Sequence, residues 1–149
     1  MISIRKATQS DAPAIIDFQK KMAWETEKMT LVPEVVEKGV KAVFENQLCG
    51  RYWVAEEDNK VIASLLITFE WSDWRNTNVW WFQSVYVIPE YRRRGIFRTM
   101  FLTIKKEAGI ENAAGLRLYV ETNNLQAQFT YQALGMQSEH YKMYEWMKE

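Results

Sequence analysis

The stretch on which the chain turns is Trp80-Trp81-Phe82-Gln83-Ser84-Val85-Tyr86-Val87, followed by Pro89-Glu90-Tyr91 and then Arg92-Arg93-Arg94-Gly95-Ile96-Phe97-Arg98. The aromatic and β-branched run up to Val87 predicts a strand. Pro89 has no N–H to give a ladder and ends it. From Ile96 the apolar residues recur at Phe97, Met100, Phe101, Ile104 and Ala108, which is helical spacing, so a helix starts at the basic cluster. The first turn of a helix carries N–H groups without intrahelical acceptors and the positive end of the dipole. A phosphate placed there gains several hydrogen bonds and roughly 0.3–1 kcal/mol of dipole interaction. Gly95 allows close approach of that backbone. The stretch reads as strand, turn and anion cradle.

Working outward, Gly109 offers a C-terminal stop to the helix, and Leu116-Arg117-Leu118-Tyr119-Val120 predicts the next strand, parallel to the 79–88 strand because a helix separates them. Asn124 then caps a helix on which Ala127, Tyr131 and Leu134 share a face, and Gly135 terminates it. Tyr141 to Met147 alternates as a final strand. Upstream, Ile2 and Ile4 mark a short strand, and Ser10-Asp11-Ala12-Pro13 supplies capping chemistry for a helix with Ile15, Phe18 and Met22 on its buried face. A second helix from about Pro33 carries Val36, Val40, Val43 and Phe44 as its stripe. Arg51 to Glu56 and Val61 to Phe69, joined by the turn Glu57-Asp58-Asn59-Lys60, predict a β-hairpin, and Glu70 to Asn76 reads as a loop.

Composition narrows the class. At 149 residues the chain is expected to be one domain, residues 1–149, with a self-sufficient core. Basic and acidic residues both number 19, so a general nucleic-acid surface has no support and the triple arginine suits one small polyanion. Cys49 is the single cysteine and has no Cys or His neighbour at ligand spacing, so neither a disulfide nor a metal site is expected and a reducing cytoplasm fits. The longest apolar stretch, Val61 to Phe69, is too short for a transmembrane helix. The Trp-rich edge and the aromatic C-terminal strand offer more apolar surface than a small domain readily covers, and a homodimer is expected.

The motif Arg92, two residues, Gly95, one residue, Phe97 resembles the acyl-CoA signature of the GNAT acetyltransferase superfamily, with Phe97 where a small residue is usual. Asn124, Ala127, Tyr131 and Gly135 resemble that family's next motif, with Met136 in place of the commoner Phe. The resemblance covers the chain in element order. It implies an α+β fold with a mostly antiparallel, splayed central sheet of six to seven strands flanked by about four helices. The implied function is an acetyl-CoA-dependent N-acetyltransferase acting on a primary amine by direct transfer in a ternary complex.

The resemblance further implies that Val85, Tyr86 and Val87 pair with the pantetheine arm. It assigns the pyrophosphate to the backbone and side chains of Arg92, Arg93, Arg94, Gly95, Ile96, Phe97 and Arg98, and makes Asn124 and Ala127 cofactor contacts. Tyr131 is then the proton donor to the thiol and a further cofactor contact. Many relatives carry a Glu on the 79–88 strand as the base. Gln83 and Ser84 stand there instead, so Glu121 is the first substitute, Glu70 the second, and His140 or a water chain the remaining routes. The acceptor walls would carry Trp24, Glu25, Glu70, Trp71 and Asp73. Carboxylates beside indole faces suit a small cationic amine, such as a polyamine, an amino sugar or a lysine-like group. The competing class is a non-catalytic acyl-CoA-binding or sensing domain.

Overall fold

The computed structural model describes residues 1–149, which divide into two compact units, 1–117 and 118–149. In chain order, the first unit contains β1 (Ile2–Lys6), α1 (Ala12–Glu27), α2 (Pro33–Glu45), β2 (Arg51–Glu57), β3 (Lys60–Ser72), β4 (Thr77–Val87), α3 (Ile96–Ile110) and β5 (Gly115–Arg117). The strands lie in sequence order β1-β2-β3-β4-β5, antiparallel except for the β4–β5 pair. The parallel pair follows from the α3 crossover, as expected from the sequence.

Asp58 and Asn59 both take positive φ, 50° and 64°, and close β2 onto β3 through a two-residue turn whose twist matches the strands. Period-two alternation then sorts the side chains. Tyr52 and Val54 pack with Ile15 of α1 and with Val40 and Val43 of α2. Phe82 shows the opposite face, where its ring stacks 5.4 Å from Phe101 of α3. Ile15, Met100 and Ile104 are fully buried, so helices on both faces seal the sheet. No helix is long and apolar enough to cross a membrane.

Three boundaries differ from the sequence reading. β3 and β4 remain paired out to Ser72 and Thr77, so the expected loop from Glu70 shrinks to residues 73–76. Gly109 does not stop α3, which runs to Ile110; Asn112 takes the left-handed turn instead, at φ 60°. The strand expected at 116–120 is shortened to Gly115–Arg117, and the alternating tail 141–147 forms no strand, which leaves five strands rather than six or seven. Alternation gives a segment two faces, but only a ladder partner makes it a strand.

The second unit contains α4 (Leu125–Ala133). Asn124 Oδ1 accepts from the Ala127 N–H at 3.1 Å, the cap expected from the sequence. At the other end Gly135 stands at φ 89°, and the Met136 and Gly135 N–H groups donate to the Tyr131 and Gln132 carbonyls, a Schellman closure.

A polar clamp holds β1 to the start of α1. Asp11, only 6% exposed, accepts two hydrogen bonds from the Arg5 guanidinium at 2.8 and 3.0 Å and one from the Thr8 N–H at 2.7 Å. Arg5 also reaches Glu56 on β2. The Arg5 hydrogen bonds hold the Asp11 carboxyl below its ordinary value. Its stabilisation is therefore present above the ordinary carboxylate range and lost as pH falls through the lowered native value. Asp11→Asn is expected to cost about 1–3 kcal/mol at neutral pH. Urea titrations across pH should show a flatter acid dependence for the variant than for the parent.

Candidate active site

The site begins with one extra residue. Along the β3–β4 ladder Leu66 pairs with Gln83, yet Ser64 pairs with Tyr86, so Leu65 stands against Ser84 and Val85. Ser84 accommodates the bulge at φ 53°, a left-handed conformation that few non-glycine residues adopt. Two consequences follow. The bulge restores Tyr86 to the same sheet face as Gln83, and it bends the strand where β5 has already ended. Pairing with β5 covers only Val79 to Trp81, so from Phe82 to Val87 that edge of β4 carries no strand. An extended ligand with amide groups can add there as a further strand.

Beyond Val87 the chain passes Pro89–Tyr91 as a 3₁₀ turn, then Arg93 at φ 63° and Gly95 at φ 74°, and enters α3. Gly95 is the N-cap and gives no side-chain acceptor, so the first turn of α3 is not capped by its own chain. A Cβ built on Gly95 would meet no atom within 4 Å. Ile96 is buried and the Phe97 ring packs 6.0 Å from Phe82, which anchors the first turn by its side chains. Phe97 thus fills space against the sheet instead of standing over the loop. Arg93, Arg94 and Arg98 are exposed, with Arg94 over the Tyr91 ring at 4.9 Å. Open space, an uncapped helix start and exposed guanidinium groups fit a diphosphate.

Arg92 has a different role from its neighbours. Its Nε donates to the Val87 carbonyl at 2.8 Å, its Nη2 donates to Glu25 at 2.8 Å, and its guanidinium lies 5.3 Å from the Tyr86 ring centroid. Tyr86 donates from its hydroxyl to the other Glu25 oxygen at 3.1 Å, and its ring packs against Phe18 of α1. Burial first, and then the Glu25 carboxylate, push the Tyr86 phenol up. The structure therefore joins the C-terminal end of α1, the end of β4 and the Arg92–Gly95 loop through Glu25. Sequence reasoning placed Glu25 and Arg92 at separate subsites and assigned Tyr86 by its backbone. The parity shift at Ser84 was the missing signal.

Other expected acceptor residues divide. Glu70 accepts from Trp81 Nε1 at 2.9 Å and from Arg117 Nη1 at 2.6 Å, and these bonds, Trp81 first, hold its carboxyl below the ordinary range. The carboxylate placed second among the base candidates is thus engaged by an indole and a guanidinium. It pins β3, β4 and β5 together. Trp24 is half exposed, with Lys28 Nζ 5.5 Å from its ring centroid, so its own chain already supplies that face with a cation. Trp71 is exposed at the end of β3 and Asp73 lies in the 73–76 turn. Lys20, Trp24, Met29, Thr30, Leu31 and Pro33 line a cleft of about 270 Å³ at the junction of α1 and α2.

In the second unit, Asn124 and Ala127 share the cap already described. Tyr131 is half-buried on α4, and burial pushes its phenol up. Glu121 is exposed in the turn before α4, where its carbonyl accepts from the Asn124 N–H and Gln128 Nε2. It is not at the end of a strand, as the longer β5 had implied.

Residues 14–136 match the model of the Acetyltransferase (GNAT) family. The crystal structure of a possible acetyltransferase from Clostridium difficile 630 is 45% identical, covers 100% of this chain and 99% of its own, and superposes with a TM-score of 0.92. A thialysine N-epsilon-acetyltransferase from Bos taurus is 28% identical over 91% of this chain and 84% of its own length. A predicted acetyltransferase from Clostridium acetobutylicum, solved with acetyl-CoA, is 21% identical, covers 97% of this chain and 96% of its own, and has a TM-score of 0.77. This last likeness speaks for the fold.

A β-branched residue does not tolerate the conformation at Ser84. Ser84→Val is expected to destabilise by about 1–3 kcal/mol. Chemical denaturation measures the loss, and Ser84→Gly, which meets the same φ without strain, should stay within about 1 kcal/mol of the parent.

Proposed function

The chain belongs to the GNAT acetyltransferase family, and on that premise we propose that it is an acetyl-CoA-dependent N-acetyltransferase acting on a primary amine of a small cationic acceptor. The observation that carries this reading is the open edge of β4 past the Ser84 bulge, leading directly into the Arg93–Gly95 loop and the uncapped start of α3. Acetyltransferases of this family use acetyl-CoA, which supplies the acetyl group as an activated thioester. Val85 and Tyr86 backbone groups would hold its amide-bearing arm. The backbone from Arg93 to Arg98, with the Arg93, Arg94 and Arg98 side chains, would hold its diphosphate, and Asn124 and Ala127 would flank the arm. The family match runs from residue 14 to 136 and so spans both units, which supports one catalytic domain over 1–149.

Direct transfer needs a neutral amine beside the thioester, a donor for the carbonyl oxygen and a proton for the leaving thiolate. We assign the donor to an N–H of the Val85–Val87 segment and the proton to Tyr131. A phenol raised by burial keeps its proton through neutral pH, as a donor must, and loses it only above the ordinary tyrosine range. Glu121 is assigned the amine proton, since the Glu70 carboxylate is already engaged by Trp81 and Arg117. The bovine relative's lysine-like acceptor supports a cationic substrate. The exposed Cys49 thiol suits a reducing cytoplasm.

Calorimetric titration with acetyl-CoA should show saturable binding, and Gly95→Asp, which adds charge and a strained left-handed side chain at the loop, should weaken it at least tenfold. Absence of heat at millimolar acetyl-CoA would reject the reading. Tyr131→Phe should retain acetyl-CoA affinity while kcat falls by about 10²–10⁴ in a thiol-release assay. Binding without thiol release across a panel of polyamines, amino sugars and lysine analogues would favour the binding-only alternative.

A further inference from the structure

Glu25 stands where the local rules of a helix do not favour it. The last turn of α1 is the negative end of the helix dipole, and that turn carries no basic residue to offset a carboxylate. Its counter-charge comes from the loop after β4 instead. Arg92 Nη2 donates to one Glu25 oxygen at 2.8 Å and the Tyr86 hydroxyl donates to the other at 3.1 Å. Both oxygens are thus directed at β4 and its loop, and the guanidinium cancels the field that would draw in a cationic amine. The ion pair is 43% and 38% exposed, so solvent screens it and it adds little to stability. What it supplies is direction, because a charge-assisted bond to a planar guanidinium fixes orientation as well as distance.

That orientation bears on the open edge of β4. Ile88 donates its N–H to the Ile62 carbonyl, so the backbone of Ile88 faces β3. Antiparallel alternation then turns the N–H and carbonyl of Val87 to the other side, the edge that carries no strand. Arg92 Nε donates to this Val87 carbonyl at 2.8 Å, and the same guanidinium lies 5.3 Å from the Tyr86 ring centroid. Arg92 marks the end of the edge on which an amide-bearing arm would add. Glu25, on a different element, sets where Arg92 stands.

On the acetyl-transfer reading above, on which this inference rests, we propose that Glu25 is a positioning residue for that reaction. It holds Arg92 on the Val87 carbonyl and Tyr86 against α1, and so fixes where the end of β4 presents the thioester to the amine. Glu25 touches neither reactant in this role and acts through Arg92 and Tyr86. Misplacing reacting groups by about 1 Å costs up to about 10²-fold in rate, so a contact of little value to stability governs turnover.

Glu25→Ala, Arg92→Ala and the double variant, assayed by thiol release with acetyl-CoA and a saturating lysine analogue, test this. Each single change should lower kcat by about 10–100-fold. The double variant should lose no more than the worse single one, because both remove the same link. The KM for the amine should stay within about threefold of the parent and the thermal midpoint should not move. Glu25→Gln, which keeps one acceptor oxygen, should recover part of the kcat lost in Glu25→Ala. A parent that neither binds acetyl-CoA nor releases thiol would overturn the acetyl-transfer reading and this inference with it. With an active parent, any of three results overturns the inference alone: unchanged kcat in Glu25→Ala, a raised amine KM at parental kcat, or losses that multiply in the double variant.

Discussion

One residue more on β4 than β3 can pair is the constraint from which the site follows. Had the ladder continued in register, Val85 would share a face with Gln83 and Tyr86 would turn to the opposite side, out of reach of Glu25. The bulge reverses that parity. It also unpairs and bends the strand just after β5 has stopped, so that the backbone is offered sideways as well as the side chain being re-aimed. The cost is a serine held at φ 53°. Strain of this order persists because buried neighbours on either side, Leu65 and Tyr86, leave the chain no better register.

The three arginines illustrate how identical side chains separate by position. Arg92 extends back along β4 and satisfies a strand-end carbonyl and the Glu25 carboxylate, which fixes where the loop leaves the sheet. Arg93 is displaced into the left-handed region and Arg94 rests on the Tyr91 ring, so those two guanidinium groups stay at the surface. One arginine organises the loop and the next two give it charge. Glu25 gains from the same arrangement, because Tyr86 and Arg92 each occupy one of its oxygens and hold it at the end of α1. Its pair with Arg92 is solvent-exposed, so its value lies in geometry more than in stability.

Much of this was legible in the sequence, for reasons that can be named. Pro89 and Gly95 bracket the loop by covalent constraint, and the i, i+3, i+4 recurrence from Ile96 predicts the start and the buried face of α3, though not its end. Asn124 and Gly135 delimit α4 through capping rules that act over three or four residues. What the sequence did not disclose depends on partners far along the chain. The bulge is a relation between β3 and β4 and leaves no mark in either alone. Glu70 reads as a free carboxylate until Trp81 and Arg117 are brought to it. The tail alternates like a strand, and alternation says nothing about whether a ladder partner is present.

The sequential strand order has a kinetic consequence. β2, β3 and β4 are joined by two- and four-residue turns, so their contacts close short loops and little chain entropy opposes them. β1 joins only by bringing Lys6 to Trp53 around both α1 and α2. The meander β2–β3–β4 is therefore the natural nucleus, and the bulge lies inside it, so the strained turn at Ser84 is set before α1 arrives to read it. A chain that assembles in this order shapes the open edge of β4 first and closes the helical layer over it afterwards, an order that pulsed hydrogen exchange would register as protection in β2–β4 ahead of β1.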